Sequence, residues 1–236
     1  MRVLVIGAGG LGSPVALALT GGPPTARPAR LAGLTLIDAD VVELSNLHRQ
    51  LLHGERDRGR RKVDSAADRL AARAPAVPCE RLAQRLDGEC APALIAAHDL
   101  VVEGSDDLGT KFLVNDLALR LGVPAVIGGV VRFSGQIVTV LPAGAAGGPV
   151  GCYRCLFEEP PPDGTATSCQ QAGVLGPACG LVGGLMAAEA MRILTGAAPL
   201  YAGAVLTLDL LRWRLRQIKL PPRPGCPACA AASRRR

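Results

Sequence analysis

Val3-Leu4-Val5-Ile6-Gly7-Ala8-Gly9-Gly10-Leu11-Gly12 decides the fold of this chain. Residues 3–6 are a short, wholly apolar run suited to a strand covered on both faces. The spacing Gly7-x-Gly9-x-x-Gly12 then turns the chain, and residues 15–19 continue as helix. Glycines so placed let the backbone approach a phosphate chain, while the helix N-terminus offers free N–H groups and a positive dipole. A tight turn needed only for packing is the competing explanation of the same glycines.

Outward from this turn, strand and helix alternate. After a Gly/Pro-rich detour at 21–28, residues 34–37 predict a second strand ending at Asp38, where a carboxylate can accept bonds from ribose hydroxyls. Apolar runs at 100–102 and 125–127 alternate with helical stretches near 61–73 and 111–121. This pattern predicts an α/β fold with a doubly wound, Rossmann-like, mainly parallel sheet. Beyond Gly128-Gly129 the texture changes. A strand at 136–141, a small-residue loop, a proline run at 160–162, a helix near 182–194 and a strand at 205–208 make an irregular C-terminal half. One domain over 1–236 is the economical division.

Composition narrows the function. The 236 residues are 49% hydrophobic and 19% charged, which excludes a disordered tail. With one Trp, two Tyr and three Phe, the core must rest on aliphatic and small residues, and base stacking on single strands is excluded. The net charge of +6 owes much to Arg234, Arg235 and Arg236, so no nucleic-acid partner is expected. The most apolar stretch, 173–188, is closed by Glu189 and falls short of the ~20 residues of a membrane span. Glycines interrupt the apolar start before a signal peptide can form, so a cytoplasmic chain without a membrane or targeting segment is expected.

Further motifs carry chemistry. Ser45-Asn46-Leu47-His48-Arg49-Gln50, then Arg60, Arg61 and Lys62, offer the planar forks and point charges that a polyphosphate needs and a nicotinamide site does not. A solvated basic helix face is the alternative, above all for Arg60 and Arg61. Ser105-Asp106-Asp107 follows the strand at 100–102, at the carboxyl end of the sheet. There Asp106 can hold Mg²⁺ against phosphate, and Asp107 can equally be a helix N-cap. Of eight cysteines, Cys152, Cys155, Cys226 and Cys229 form two Cys-x-x-Cys pairs, a ligand set for a closed structural zinc site that clasps distant parts of the chain. Cys169 lies in a polar loop, either a nucleophile or a harmless surface thiol. His48, His53 and His98 form no obvious ligand set.

Together the segments GAGGLGSPVA, LTLIDADVVELSNLHRQ, GRRKVDSA, VVEGSDD, GGVVRFSGQI, CYRCLFEEPPP, TSCQQAGVLGP and GCPAC resemble the MoeB/ThiF/HesA family, bacterial relatives of ubiquitin-activating enzymes. The matches run in family order over nearly the whole chain, with CYRCLFEEPPP closer to MoeB. The resemblance implies a homodimeric adenylyltransferase that uses Mg-ATP to activate the C-terminal Gly-Gly of a ubiquitin-like sulfur carrier of MoaD or ThiS type. By the same resemblance, residues 1–130 are a nucleotide-binding half and 131–236 a carrier-binding and zinc-clasp half. Gly7, Gly9, Gly10 and Gly12 line the phosphates, with Asp38 on the ribose and Asp40, Ser45, Asn46, Arg49 and Lys62 around the nucleotide. Asp106 with Asp107 organises Mg²⁺, and Cys169 stands where some members form a covalent carrier intermediate. An activating enzyme for a conjugation system, using Cys169, and a silent carrier-binding scaffold are the alternatives.

Three departures qualify the likeness. Members open with an N-terminal helix whose second Arg in Arg-Tyr-x-Arg-Gln reaches the neighbouring subunit's ATP site, whereas this sequence opens on its first strand, so that cation is expected to be missing. Position 107 is Asp where members often carry Asn, and the detour at 21–28 is longer than usual. No rhodanese domain follows, so sulfur is expected from a separate donor, a cysteine desulfurase or a rhodanese.

Overall fold

Alternate residues of the first strand pack on opposite faces, as a strand covered on both sides requires. Val3 and Val5 join one core with Val15, Leu19, Val63 and Met186, and Leu4 and Ile6 join a second with Ile95, Phe112 and Leu117. The computed structural model describes residues 1–21, 31–142, 144–145, 150–160 and 172–229. In chain order it holds β1 (Arg2–Ile6), α1 (Gly12–Thr20), β2 (Gly33–Ile37), α2 (Lys62–Arg73), β3 (Cys79–Leu82), α3 (Ala91–Ala96) and β4 (Leu100–Glu103). Then follow α4 (Leu108–Leu121), β5 (Ala125–Val131), β6 (Ser134–Val140), α5 (Tyr153–Leu156), α6 (Gly176–Thr195), β7 (Ala204–Asp209) and β8 (Arg214–Lys219).

All eight strands form one sheet in the order β3-β2-β1-β4-β5-β6-β7-β8. The first five are parallel and the last three antiparallel. Connections from β1 run outward one way and from β4 the other, so a crevice opens between the carboxyl ends of β1 and β4, where doubly wound sheets bind ligands. The half expected to be irregular extends the same sheet. Apolar periodicity missed β3 and β8 because both are edge strands, and β8 is exposed throughout. Its Arg214, Arg216 and Lys219 are the charges that keep an edge from pairing with another chain.

The helix predicted over 182–194 is longer, and Glu189, which ends the apolar stretch, lies within it. Glu189 sits inside α6, buried, accepting bonds from Thr139 Oγ1 (2.7 Å) and from the backbone N–H groups of Leu200 and Tyr201 (3.0 and 2.8 Å). A buried carboxylate with three donors is a staple to the sheet. By length and composition α6 would be enough to cross a membrane, yet it packs on α1, β4, β5 and β6 with half its apolar window buried.

The glycine turn is built on a close approach. Gly7 has φ +88°, and a Cβ at Gly12 would come within 1.7 Å of the Gly7 carbonyl oxygen. His53 braces the turn from outside, with Nε2 at 2.9 Å from Ala8 O and Nδ1 at 2.9 Å from Ser65 Oγ. Because a carbonyl only accepts, Nε2 carries the proton, and Ser65 can donate to a neutral Nδ1. Burial holds His53 below its ordinary value, helped by the Lys62 charge and opposed by the Ala8 bond, Asp57 and Asp38.

Gly12→Ala is expected to cost about 3 kcal/mol or more in urea unfolding, because backbone must move to admit the methyl group. Gly180→Ala, inside α6 with open space around it, should instead gain about 0.5–1 kcal/mol. The lowered His53 value means that the unfolded chain binds the extra proton first as pH falls. Its contribution is therefore complete above the ordinary pKa of about 6.5 and fades in more acid solution. His53→Gln, which keeps a donor for Ala8, should lose less stability than the native chain between pH 7.5 and 5.5.

Candidate functional site

The loops after β1 and β4 meet at the crevice: a Cβ at Gly7 would lie 3.1 Å from Ser105 N. Asp38, at the end of β2, accepts from Ala8 N (2.7 Å) and Asp40 N (2.8 Å), tying the glycine turn to the next loop. Both its oxygens keep further acceptor capacity, and the residue is half-buried at the rim.

The 3-10 turn Leu44–Asn46 leads into residues 47–50, and Arg49 and Gln50 lie across the glycine turn. Arg49 Cδ stands 3.7 Å from where a Cβ of Gly10 would be, and Gln50 Nε2 stands 3.4 Å from that of Gly9. Asn46 is buried and its Oδ1 receives Arg49 Nη2 at 2.5 Å, while Arg49 Nη1 reaches Ser45 O at 3.4 Å. These bonds fix the guanidinium stem over the turn. Ser45 itself is exposed and donates to Glu43.

Lys62 begins α2 with its side chain buried, and its Nζ meets Asp40 Oδ2 at 2.7 Å. Asp40 is largely exposed, so the pair places an ammonium at the rim of the crevice with its stem desolvated. Arg60 is drawn away to Asp57 and Asp68, in agreement with a solvated basic face, and Arg61 is exposed.

Past β4, the two aspartates divide. Asp106 is exposed and makes no ion pair with a described residue. Asp107 caps α4, accepting from Thr110 N (3.0 Å) and Thr110 Oγ1 (2.5 Å), and these bonds hold its carboxyl below the ordinary value against the opposing effect of burial. Beneath them lies a buried pair that the sequence motifs did not single out. Lys111 Nζ contacts Glu103 Oε2 (2.5 Å), Ser105 O (2.8 Å) and Gly128 O (2.7 Å), using all three donors. Ser105 N and Oγ both donate to Glu103 Oε1. The only sequence signal was a carboxylate ending an apolar strand with a lysine in the first turn of the helix that follows.

Far from the crevice, the four paired cysteines converge. Sγ separations are 3.9 Å (Cys152–Cys155), 3.8 Å (Cys152–Cys226), 3.6 Å (Cys155–Cys229) and 3.5 Å (Cys152–Cys229). All four sulfurs lie within 4.8 Å of one another. A tetrahedral metal at about 2.3 Å from each sulfur sets them about 3.8 Å apart, so this donor set fits zinc. The Cys152 thiol is drawn down to about 5, first by the Cys229 thiol, with N–H groups of the knuckle assisting against burial. Arg223 N donates to Cys155 Sγ at 3.2 Å, as an outer shell should. The knuckle is docked on α4: Asn115 Oδ1 accepts from Tyr153 N, Arg154 pairs with Asp116 through two nitrogens, and Tyr153 stacks edge-on to Phe112 at 5.1 Å. Cys169 falls outside the described residues.

Comparison with known proteins shows the family and the fold. The ThiF family matches residues 1–228. The chain is 41% identical over 227 residues to the sulfur carrier protein adenylyltransferase of Thermus thermophilus, covering 96% of this chain and 81% of that one. It is 45% identical over 228 residues to the adenylyltransferase and sulfurtransferase MOCS3 of Sus scrofa, and spans only 48% of that protein's length. Among solved structures, Escherichia coli MccB with ATP superposes with a TM-score of 0.81 at 20% identity, over 97% of this chain and 67% of MccB, a likeness of fold. The chain belongs to the ThiF family.

Proposed function

We propose that this chain is an ATP-dependent adenylyltransferase that activates the C-terminal glycine of a small ubiquitin-like sulfur carrier as its acyl-adenylate. The observation that carries the reading is the gathering of the glycine turn, Arg49, Lys62 and Asp106 around one crevice in a chain of the ThiF family. Gly7, Gly9, Gly10 and Gly12 would seat the phosphates, and Asp38 the ribose hydroxyls, with Asp40, Ser45 and Asn46 at the rim. Asp106, with Asp107 behind it, would hold Mg²⁺, which supplies positive charge to phosphate oxygens. Residues 1–130 are assigned to the nucleotide and 131–236 to the carrier and clasp, within one domain.

In the reaction the carrier's terminal carboxylate attacks the α-phosphorus and pyrophosphate departs. Nucleophile and leaving group are both anionic, so the chain's task is to align them and neutralise charge. Arg49 is suited to that by a stem lying over Gly10 and a guanidinium held by Asn46, and Lys62 by a desolvated stem that can exchange Asp40 for phosphate. In the alternative reading, an activating enzyme for a conjugation system, Cys169 would attack the acyl-adenylate carbonyl and expel AMP, leaving a thioester. A homodimer and a separate sulfur donor complete the scheme. The four thiols hold structural zinc, and a reducing cytoplasmic setting suits thiols left unbridged.

Exchange of labelled pyrophosphate into ATP, dependent on a carrier of MoaD or ThiS type ending in Gly-Gly, is the direct test. No exchange with either carrier overturns the reading. Lys62→Ala and Arg49→Ala should each slow exchange about a hundredfold or more while melting near the native temperature. Cys169→Ala should leave exchange intact. Cys226→Ser should abolish bound zinc in elemental analysis and lower the melting temperature.

A further inference from the structure

Gln50 has no role in that scheme, yet its environment demands one. The residue is 4% exposed, and its backbone closes the turn over the glycines, with Gln50 N on Asn46 O (3.2 Å) and His53 N on Gln50 O (3.1 Å). The side chain makes no bond to a described residue. Oε1 is buried with no partner, and Nε2 lies 3.4 Å from where a Cβ of Gly9 would stand. Buried polar side chains almost always find partners. If this position served packing alone, Met or Leu would fill the volume without bringing in an amide donor, Nε2, that no described residue accepts.

Residues 49 and 50 therefore lay a guanidinium stem and a carboxamide over two consecutive glycines of a turn that opens onto a helix N-terminus. The group such a turn receives is a phosphate. A carboxamide N–H adds direction without adding charge, and its bond strengthens as negative charge grows on the departing oxygens. We propose that Gln50 is a further catalytic residue, its Nε2 donating to a phosphate oxygen of the triphosphate seated above Gly9. This rests on the reading that the crevice binds ATP.

The test compares the full chain with Gln50→Met and Gln50→Glu, by calorimetric titration with Mg²⁺ and α,β-methylene-ATP, by titration with adenosine, and by thermal melting. Gln50→Met should melt at or above the native temperature, weaken the analogue about tenfold or more, and leave adenosine affinity unchanged. Gln50→Glu should bind the analogue more weakly still, because a carboxylate repels phosphate. Native affinity for the analogue in either variant overturns the proposal. Equal loss of analogue and adenosine with a lowered melting temperature also overturns it, in favour of a packing role. If the native chain itself fails to bind the analogue, the ATP reading falls and this proposal with it; if it binds and Gln50→Met binds equally, only Gln50 is displaced.

Discussion

The crevice depends on the packing of Gly12 against the Gly7 carbonyl, where a Cβ would come within 1.7 Å of the oxygen. With no side chain at either place, α1 can start directly against the end of β1, with Ser13 N donating to Gly9 O at 3.0 Å inside the turn. Everything that converges there is referenced to this contact. Asp38 ties the turn through Ala8 N, His53 props it through Ala8 O, and Arg49 and Gln50 lie across it. A methyl group at Gly12 would displace the helix and with it each of these attachments.

Two lysines at the crevice show how burial assigns different work to the same side chain. Lys111 is enclosed and spends its three donors on Glu103, Ser105 and Gly128, joining the ends of β4 and β5 to α4. Such a satisfied pair fixes geometry more than it adds stability. Lys62 has a buried stem and, among the described residues, one hydrogen-bonded side-chain partner, the largely exposed Asp40, which it can exchange for an incoming anion. Asp106 and Asp107 divide similarly, one open to solvent and the other committed to capping α4.

The thiol cluster is remote from the crevice but continuous with it through α4. The first knuckle docks on that helix through Asn115, Asp116 and Phe112, and the same helix begins at the Asp107 cap beside Asp106. A metal at the four sulfurs would thus brace the element that sets the second loop of the site.

Sequence alone determined the doubly wound parallel half, the glycine turn and the two cysteine knuckles, because each depends on local rules: apolar runs, the absence of side chains, and fixed ligand spacing. The motif segments also singled out Arg49, Lys62 and Asp106, which lie in the segments that follow β2 and β4. Tertiary structure decided what depends on contacts distant in the chain. Only it distinguished Arg60, drawn to Asp57 and Asp68, from Lys62, and showed Glu189 to be a buried staple. Edge strands β3 and β8 escaped detection because an edge needs no continuous apolar run. The Glu103–Lys111 pair and the unpartnered Gln50 amide were invisible for the same reason, since whether a polar group is satisfied is set by what folds around it and not by its neighbours along the chain.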